Sequence, residues 1–232
     1  MKNTPATLLT LIFLALGSFA GFAADPDSTD PGQFPAPIRV ACVGDSITQG
    51  VGADAGKSYP SQLQALLGNK WLVQNFGVSG RTLLKKGELP YWNEQAFKDA
   101  QAFQPDVVII MLGTNDTKPQ NWVHHNEFYT DYKSLVETFK NLPSKPRVYV
   151  CRPCPVPEPG NYGINEANLQ IEIRLVNTLA AEEKIGLIDM HAALVRKPEL
   201  LPDRVHPNNA GAALMARTAA AALMRSYPVQ KS

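Results

Sequence analysis

Four polar exits from apolar runs carry the side chains of this chain that could do chemistry. They are Ser46 in Gly44-Asp45-Ser46, the glycines of Gly77-Val78-Ser79-Gly80, Asn115 in Gly113-Thr114-Asn115-Asp116, and Asp203 with His206 in Asp203-Arg204-Val205-His206-Pro207. Together they make a set for acyl transfer. A serine hydroxyl attacks an ester carbonyl once a base takes its proton, and His206 is the candidate to take it and return it to the leaving group. Asp203, three residues earlier, can turn the same way and fix the tautomer of the imidazole. A tetrahedral intermediate needs donors aimed at its oxygen. The backbone N–H of Ser46, that of Gly80 and the side-chain amide of Asn115 would supply three, each worth about 2.7 to 4 kcal/mol in other enzymes. Plainer roles stand beside these. Ser46 could cap a helix, and Asn115 or Asp116 could close an Asx-turn. Asp189 with His191 is a rival acid–base pair, while His124 and His125 read as solvated loop residues.

Such a set works only if separate elements deliver it to one place. Ile38 to Val43 is a short run of small and β-branched apolar residues, the pattern of a buried parallel strand. Trp71 to Phe76, Val107 to Leu112, Arg147 to Cys151 and Ile185 to Asp189 repeat it. Between them the 3.6-residue period predicts helices from Tyr59 to Leu67, over 94–103, from Phe128 to Phe139, from Asn165 to Glu183, and from the residues after Pro207 to Arg225. Five strands alternating with helices predict a single three-layer αβα domain over 38–228. In an open sheet of this kind ligands bind at the carboxyl ends of the strands, where Ser46, Gly80 and Asn115 all emerge.

Charge and composition narrow the classes further. With 232 residues and a net charge of +1 there is one core's worth of chain and no basic cluster of the sort that binds nucleic acid. Residues 1–24 read as a signal peptide: Lys2, an apolar stretch from Leu8 to Leu16, then small-x-small cleavage patterns. Export to the periplasm or beyond is the expectation, with no stable membrane insertion once the peptide is cut. Residues 25–37 are a polar proline-rich lead-in. Cys42 is expected to be a buried hydrophobe, and Cys151 and Cys154 are either a loop staple or two free thiols.

Gly44 to Thr48, Asn75 to Thr82, Gly113 to Asp116 and Asp203 to Pro207 stand in the order and spacing of the GDSL-type esterases, the SGNH hydrolases, and the chain resembles that family from about residue 38 to 225. The resemblance implies a flavodoxin-like parallel sheet of order 2-1-3-4-5. It also implies Ser46 as nucleophile, Gly80 and Asn115 as oxyanion donors, Asp203 and His206 as the other triad members, and neither cofactor nor metal. The block from Gly113 to Trp122 is similar to that of carbohydrate acetylesterases, including sialate O-acetylesterase-like proteins. A small-molecule or glycan ester is therefore the expected partner. Asp45, Asp116, Trp92 and Trp122 are candidate substrate-binding residues, although each aromatic ring could instead pack over a helix end. Three other functions stay open: a thioesterase or lysophospholipase on the same fold, a metallophosphoesterase, and a non-catalytic glycan-binding protein.

Overall fold

A computed structural model describes residues 37–224. The expected signal peptide and all but the last residue of the lead-in lie outside the described residues, as do the final residues of the expected domain. Among the described residues, β1 (Ile38–Gly44), β2 (Trp71–Gly77), β3 (Val107–Met111), β4 (Arg147–Arg152) and β5 (Gly186–Asp189) form one sheet. Every pairing is parallel and the order is β2-β1-β3-β4-β5, as expected. The chain winds outward to β2 and then reverses across β1 to β3. The crevice at that reversal opens at the ends of β1 and β3, where Gly44 pairs with Met111.

The helices are α1 (Ser46–Gln49), α2 (Tyr59–Leu67), α3 (Gln95–Ala102), α4 (Pro119–Trp122), α5 (Phe128–Lys140), α6 (Glu166–Glu183), α7 (Met190–Leu194) and α8 (Asn209–Met224). One face of the sheet packs its alternate residues Val40, Cys42, Ile109 and Ile188 against α2, α7 and α8. The other packs Ala41, Val43, Val108 and Ile110 against α3, α5 and α6. β3 is buried along its whole length, which is why its sequence is apolar at every position. A smaller cluster, Val156, Ile164, Leu169, Ile173 and Val205, stands apart from both layers. It lies where the loop after β4 meets the loop before α8.

Three short helices are additions to the sequence reading. α1, α4 and α7 have four or five residues, too few for an apolar period to declare itself. The three cysteines are all buried and free, so Cys151 and Cys154 are two thiols and not a staple. No helix among the described residues is long and apolar enough to cross a membrane.

Candidate active site

The chain leaves β1 through Gly44 into the tight turn of α1. A Cβ at Gly44 would stand 2.0 Å from Thr48 Oγ1 and 2.7 Å from the carbonyl oxygen of Met111, so glycine alone fits. Asp45 then caps α1, its Oδ1 accepting from the N–H of Ile47 at 2.9 Å. That frees the Ser46 hydroxyl from any capping duty. Ser46 is 5% exposed, and its Oγ lies 2.9 Å from His206 Nε2.

His206 is carried by the loop before α8. Its Nδ1 is 2.6 Å from Asp203 Oδ2, while Asp203 Oδ1 accepts from the backbone N–H groups of Val205 and His206 at 3.0 and 2.7 Å. Partial burial works against a charge on Asp203, but those donors and the imidazole outweigh it and hold the carboxyl below its usual range. An ionised carboxylate only accepts. Nδ1 therefore bears the proton, and Nε2 is left to accept from the serine hydroxyl.

The two glycines of the loop after β2 do different things. A Cβ at Gly77 would meet Gln49 N at 2.3 Å, so Gly77 lets β2 pack against α1. Gly80 has φ +80° and open space apart from Leu89 Cδ1 at 3.6 Å. Among the described residues no acceptor takes the backbone N–H of Gly80 or of Ser46. Asn115 comes from the end of β3, with its Nδ2 donating to the Arg81 carbonyl at 3.1 Å and to Asp45 Oδ2 at 3.4 Å.

Two expected substrate-binding residues need correction. Asp116 is 0% exposed and its two oxygens accept from the N–H groups of Leu83 and Leu84 at 3.0 and 2.7 Å, so it ties the loop after β2 to the end of β3. Asp45 is likewise buried and spent on capping. Neither has surface to offer a ligand. Burial pushes Asp45 up to about 6 and Asp116 up to about 7. Beneath them Glu172 on α6 is wholly buried with both oxygens unpartnered, and burial next to Asp116 and Asp45 raises its carboxyl well above the usual range.

The aromatic candidates are held by packing. Trp92 donates its indole N–H to the Leu83 carbonyl at 2.7 Å and meets Phe97 edge-on at 5.4 Å. Trp122 stacks on His125 at 4.8 Å. Among the described residues neither makes a hydrogen bond or ring contact to Ser46, His206 or Asp203. Tyr91 is in the core, its hydroxyl donating to the Phe76 carbonyl at 2.7 Å. The rival acid–base pair is not formed: Asp189 pairs with Arg152, and His191 Nε2 lies 2.6 Å from Glu166 Oε1.

Three residues beside His206 and Asp203 escaped the sequence reading. Gly52, at φ +89°, backs onto His206 at its Cβ and carbonyl, and a Cβ there would stand 2.8 Å from His206 Cβ. Asn161 Nδ2 donates to the Asp203 carbonyl at 3.0 Å, and the Tyr162 hydroxyl donates to Asp203 Oδ2 at 3.3 Å. No motif marks them. The proline-rich loop that carries Asn161 and Tyr162 is the signal that a long, structured β4–α6 connection has something to hold. Among the described residues no group of three or more His, Cys, Asp or Glu side chains could hold a metal ion.

A model of the GDSL-like lipase/acylhydrolase family matches residues 42–214. A curated relative, an acetylxylan esterase of Xylanibacter ruminicola, is 41% identical over 216 residues, covering 82% of this chain. The match covers 45% of that relative, so the chain spans about half of its length. Of solved structures, a carbohydrate acetylesterase from Sinorhizobium meliloti superposes with TM-score 0.66 at 21% identity, over 82% of this chain and 100% of its own. The native aryl esterase of M. smegmatis gives 0.64 at 21% identity with the same coverage. At these identities the structural likeness is one of fold.

Proposed function

The chain belongs to the GDSL-like lipase/acylhydrolase family, and from that premise we propose that it is an exported serine esterase removing small acyl groups, acetyl above all, from carbohydrate. The observation that carries this is the unbroken path from Ser46 Oγ through His206 to the ionised Asp203. Ser46 attacks the ester carbonyl as its proton passes to His206 Nε2, and Asp203 stabilises the imidazolium. The oxyanion receives the unclaimed N–H groups of Ser46 and Gly80. Asn115 adds its side-chain amide by giving up the longer of its two bonds, the 3.4 Å contact to Asp45. Collapse expels the alcohol with the proton from His206. A water deprotonated by the same nitrogen then releases the acyl group from Ser46. The acetylxylan esterase relative supports acetate on a glycan as the substrate class, and the reading of residues 1–24 as a signal peptide supports export.

The test is hydrolysis by the purified mature protein. It is expected to turn over 4-nitrophenyl acetate faster than the octanoate, unaffected by EDTA. Ser46→Ala and His206→Ala are each expected to lower kcat by a factor on the order of 10⁴ or more, with Asp203→Asn milder, since the members act as a unit. Chelator sensitivity with an active Ser46→Ala protein would replace this reading by a metal-dependent one. No turnover of any ester would leave a binding protein.

A further inference from the structure

Tyr162 stands beside His206, the base of the proposed reaction. Its ring centroid is 5.9 Å from that of His206, the planes inclined at 54°. It is one of the most exposed large hydrophobic residues described, at 58%, although its hydroxyl is anchored to Asp203. An aromatic ring of this size left open beside a reacting imidazole lacks a packing purpose. Its backbone is held in the left-handed region at φ +53°, a conformation a tyrosine adopts only under constraint. The constraint is visible: Asn161 Oδ1 accepts from the Tyr162 N–H at 2.8 Å, Asn161 Nδ2 grips Asp203, and Ile164 is buried in the small cluster with Val205. The loop therefore holds the Tyr162 backbone beside Asp203, and the hydroxyl contact aims the ring toward it.

We propose that Tyr162 is the leaving-group platform of this site, stacking a pyranose ring of the alcohol whose ester Ser46 attacks. The proposal rests on the esterase reading above and names one subsite within it. His206 must hand its proton to the leaving oxygen, so the group carrying that oxygen lies on the imidazole side, against Tyr162. A sugar offers an apolar C–H face that an aromatic ring covers, and a ring already fixed by its hydroxyl loses little freedom on binding. The tether to Asp203 orients the ring, and the open face does the recognising.

Two acetyl esters separate this from a merely structural role: vinyl acetate, whose leaving group has no ring, and acetylated xylo-oligosaccharides. Tyr162→Ala is expected to raise KM for the oligosaccharide about tenfold, which corresponds to about 1.4 kcal/mol. Tyr162→Phe loses the hydrogen bond to Asp203 in the same way and is the baseline, so the kcat of Tyr162→Ala, and both its constants for vinyl acetate, should stay within about twofold of those of Tyr162→Phe, the ratio of an effect well under 1 kcal/mol. Tyr162→Phe keeps the ring and should restore most of the KM, with the far-ultraviolet circular dichroism of all three proteins alike. Equal losses on both esters, or a fall confined to kcat, would assign Tyr162 to Asp203 alone and overturn the platform, as would unchanged constants on both. If wild type fails on vinyl acetate, or Ser46→Ala retains activity, the esterase reading itself falls. Binding of the same oligosaccharide to Ser46→Ala protein, followed by calorimetry with and without Tyr162→Ala, then decides the platform separately: weaker binding supports it and equal binding ends it.

Discussion

Ser46 and His206 meet at 2.9 Å, yet the molecule holds them by opposite means. Ser46 stands on the two central strands. Gly44 and Gly77 bring backbone against backbone beneath it, Asp45 caps its turn, and Asp116 binds the neighbouring loop to β3. His206 stands on a loop. It is steadied by Asp203, by the close approach of Gly52, by Asn161 through the Asp203 carbonyl, and by the small separate cluster that includes Val205. A flank built into the sheet couples its geometry to global stability. A flank built from loops can lose its geometry while the fold survives.

Gly44→Ala is expected to have the largest effect on stability. The new methyl would lie 2.7 Å from the Met111 carbonyl oxygen, a backbone atom of the buried central strand that cannot yield, as well as 2.0 Å from Thr48 Oγ1. Overpacking of this sort costs about 1–3 kcal/mol or more. The melting temperature and the esterase activity should fall together. Adding Thr48→Ala should not rescue either, because the carbonyl clash remains. A protein of normal stability with only catalysis lost would break the distinction between the flanks.

Gly52→Ala sharpens it from the other side. Alanine there must hold φ near +89° and press on His206 Cβ at 2.8 Å and the Pro207 carbonyl at 2.9 Å. The stability loss should be about 1–2 kcal/mol, the cost of a left-handed alanine in an exposed segment. The loss in kcat should be about 10²-fold, because a displacement of about 1 Å in the base is enough for that. Activity measured at saturating substrate against the urea midpoint gives the ratio. A fall in stability as large as that of Gly44→Ala would show the loop flank to be as deeply built in as the strand flank.

The same division decides what could be read from the sequence. Strand exits declare themselves, since an apolar run ending in Gly-Asp-Ser or Gly-Thr-Asn-Asp shows both the element and its polar end. Strand order did not follow from counting strands; it came with the family resemblance. Within a motif, the sequence is silent about direction. Asp116 sits beside Asn115 and read as a substrate contact, but its side chain turns inward to two backbone N–H groups of a segment over thirty residues away. Gly77 and Gly80 look alike as residues, but Gln49 packs on the first and the second turns at φ +80°. Gly52, Asn161 and Tyr162 carry no motif because each acts on His206 or Asp203 across a long stretch of sequence, and the long proline-rich loop marks only where two of them lie.

The smallest expected effect is a pH-dependent change in a stability gap, and it probes the strand flank through its buried carboxyls. Asp116→Asn leaves one acceptor oxygen where two N–H groups need partners, a loss of about 1–3 kcal/mol. Its pH dependence carries the information. Burial raises Asp116 from its usual value near 3.8 to about 7, so between those limits the native state keeps a proton that the unfolded chain has released. Stability from this group is thus complete below about pH 4 and lost as the pH climbs through 7. The asparagine protein lacks that slope, and Glu172, whose carboxyl Asp116 helps push up, is raised less in it, which moves the difference in the same direction. The stability gap, measured by urea unfolding at pH 5 and pH 8, should therefore narrow at the higher pH. A gap that is the same at both pH values would mean that Asp116 is already ionised in place at pH 5 and that its two backbone donors outweigh burial. The strand flank would then be held by a buried charge, as Asp203 holds the loop flank, and the contrast between the two would lie in packing alone.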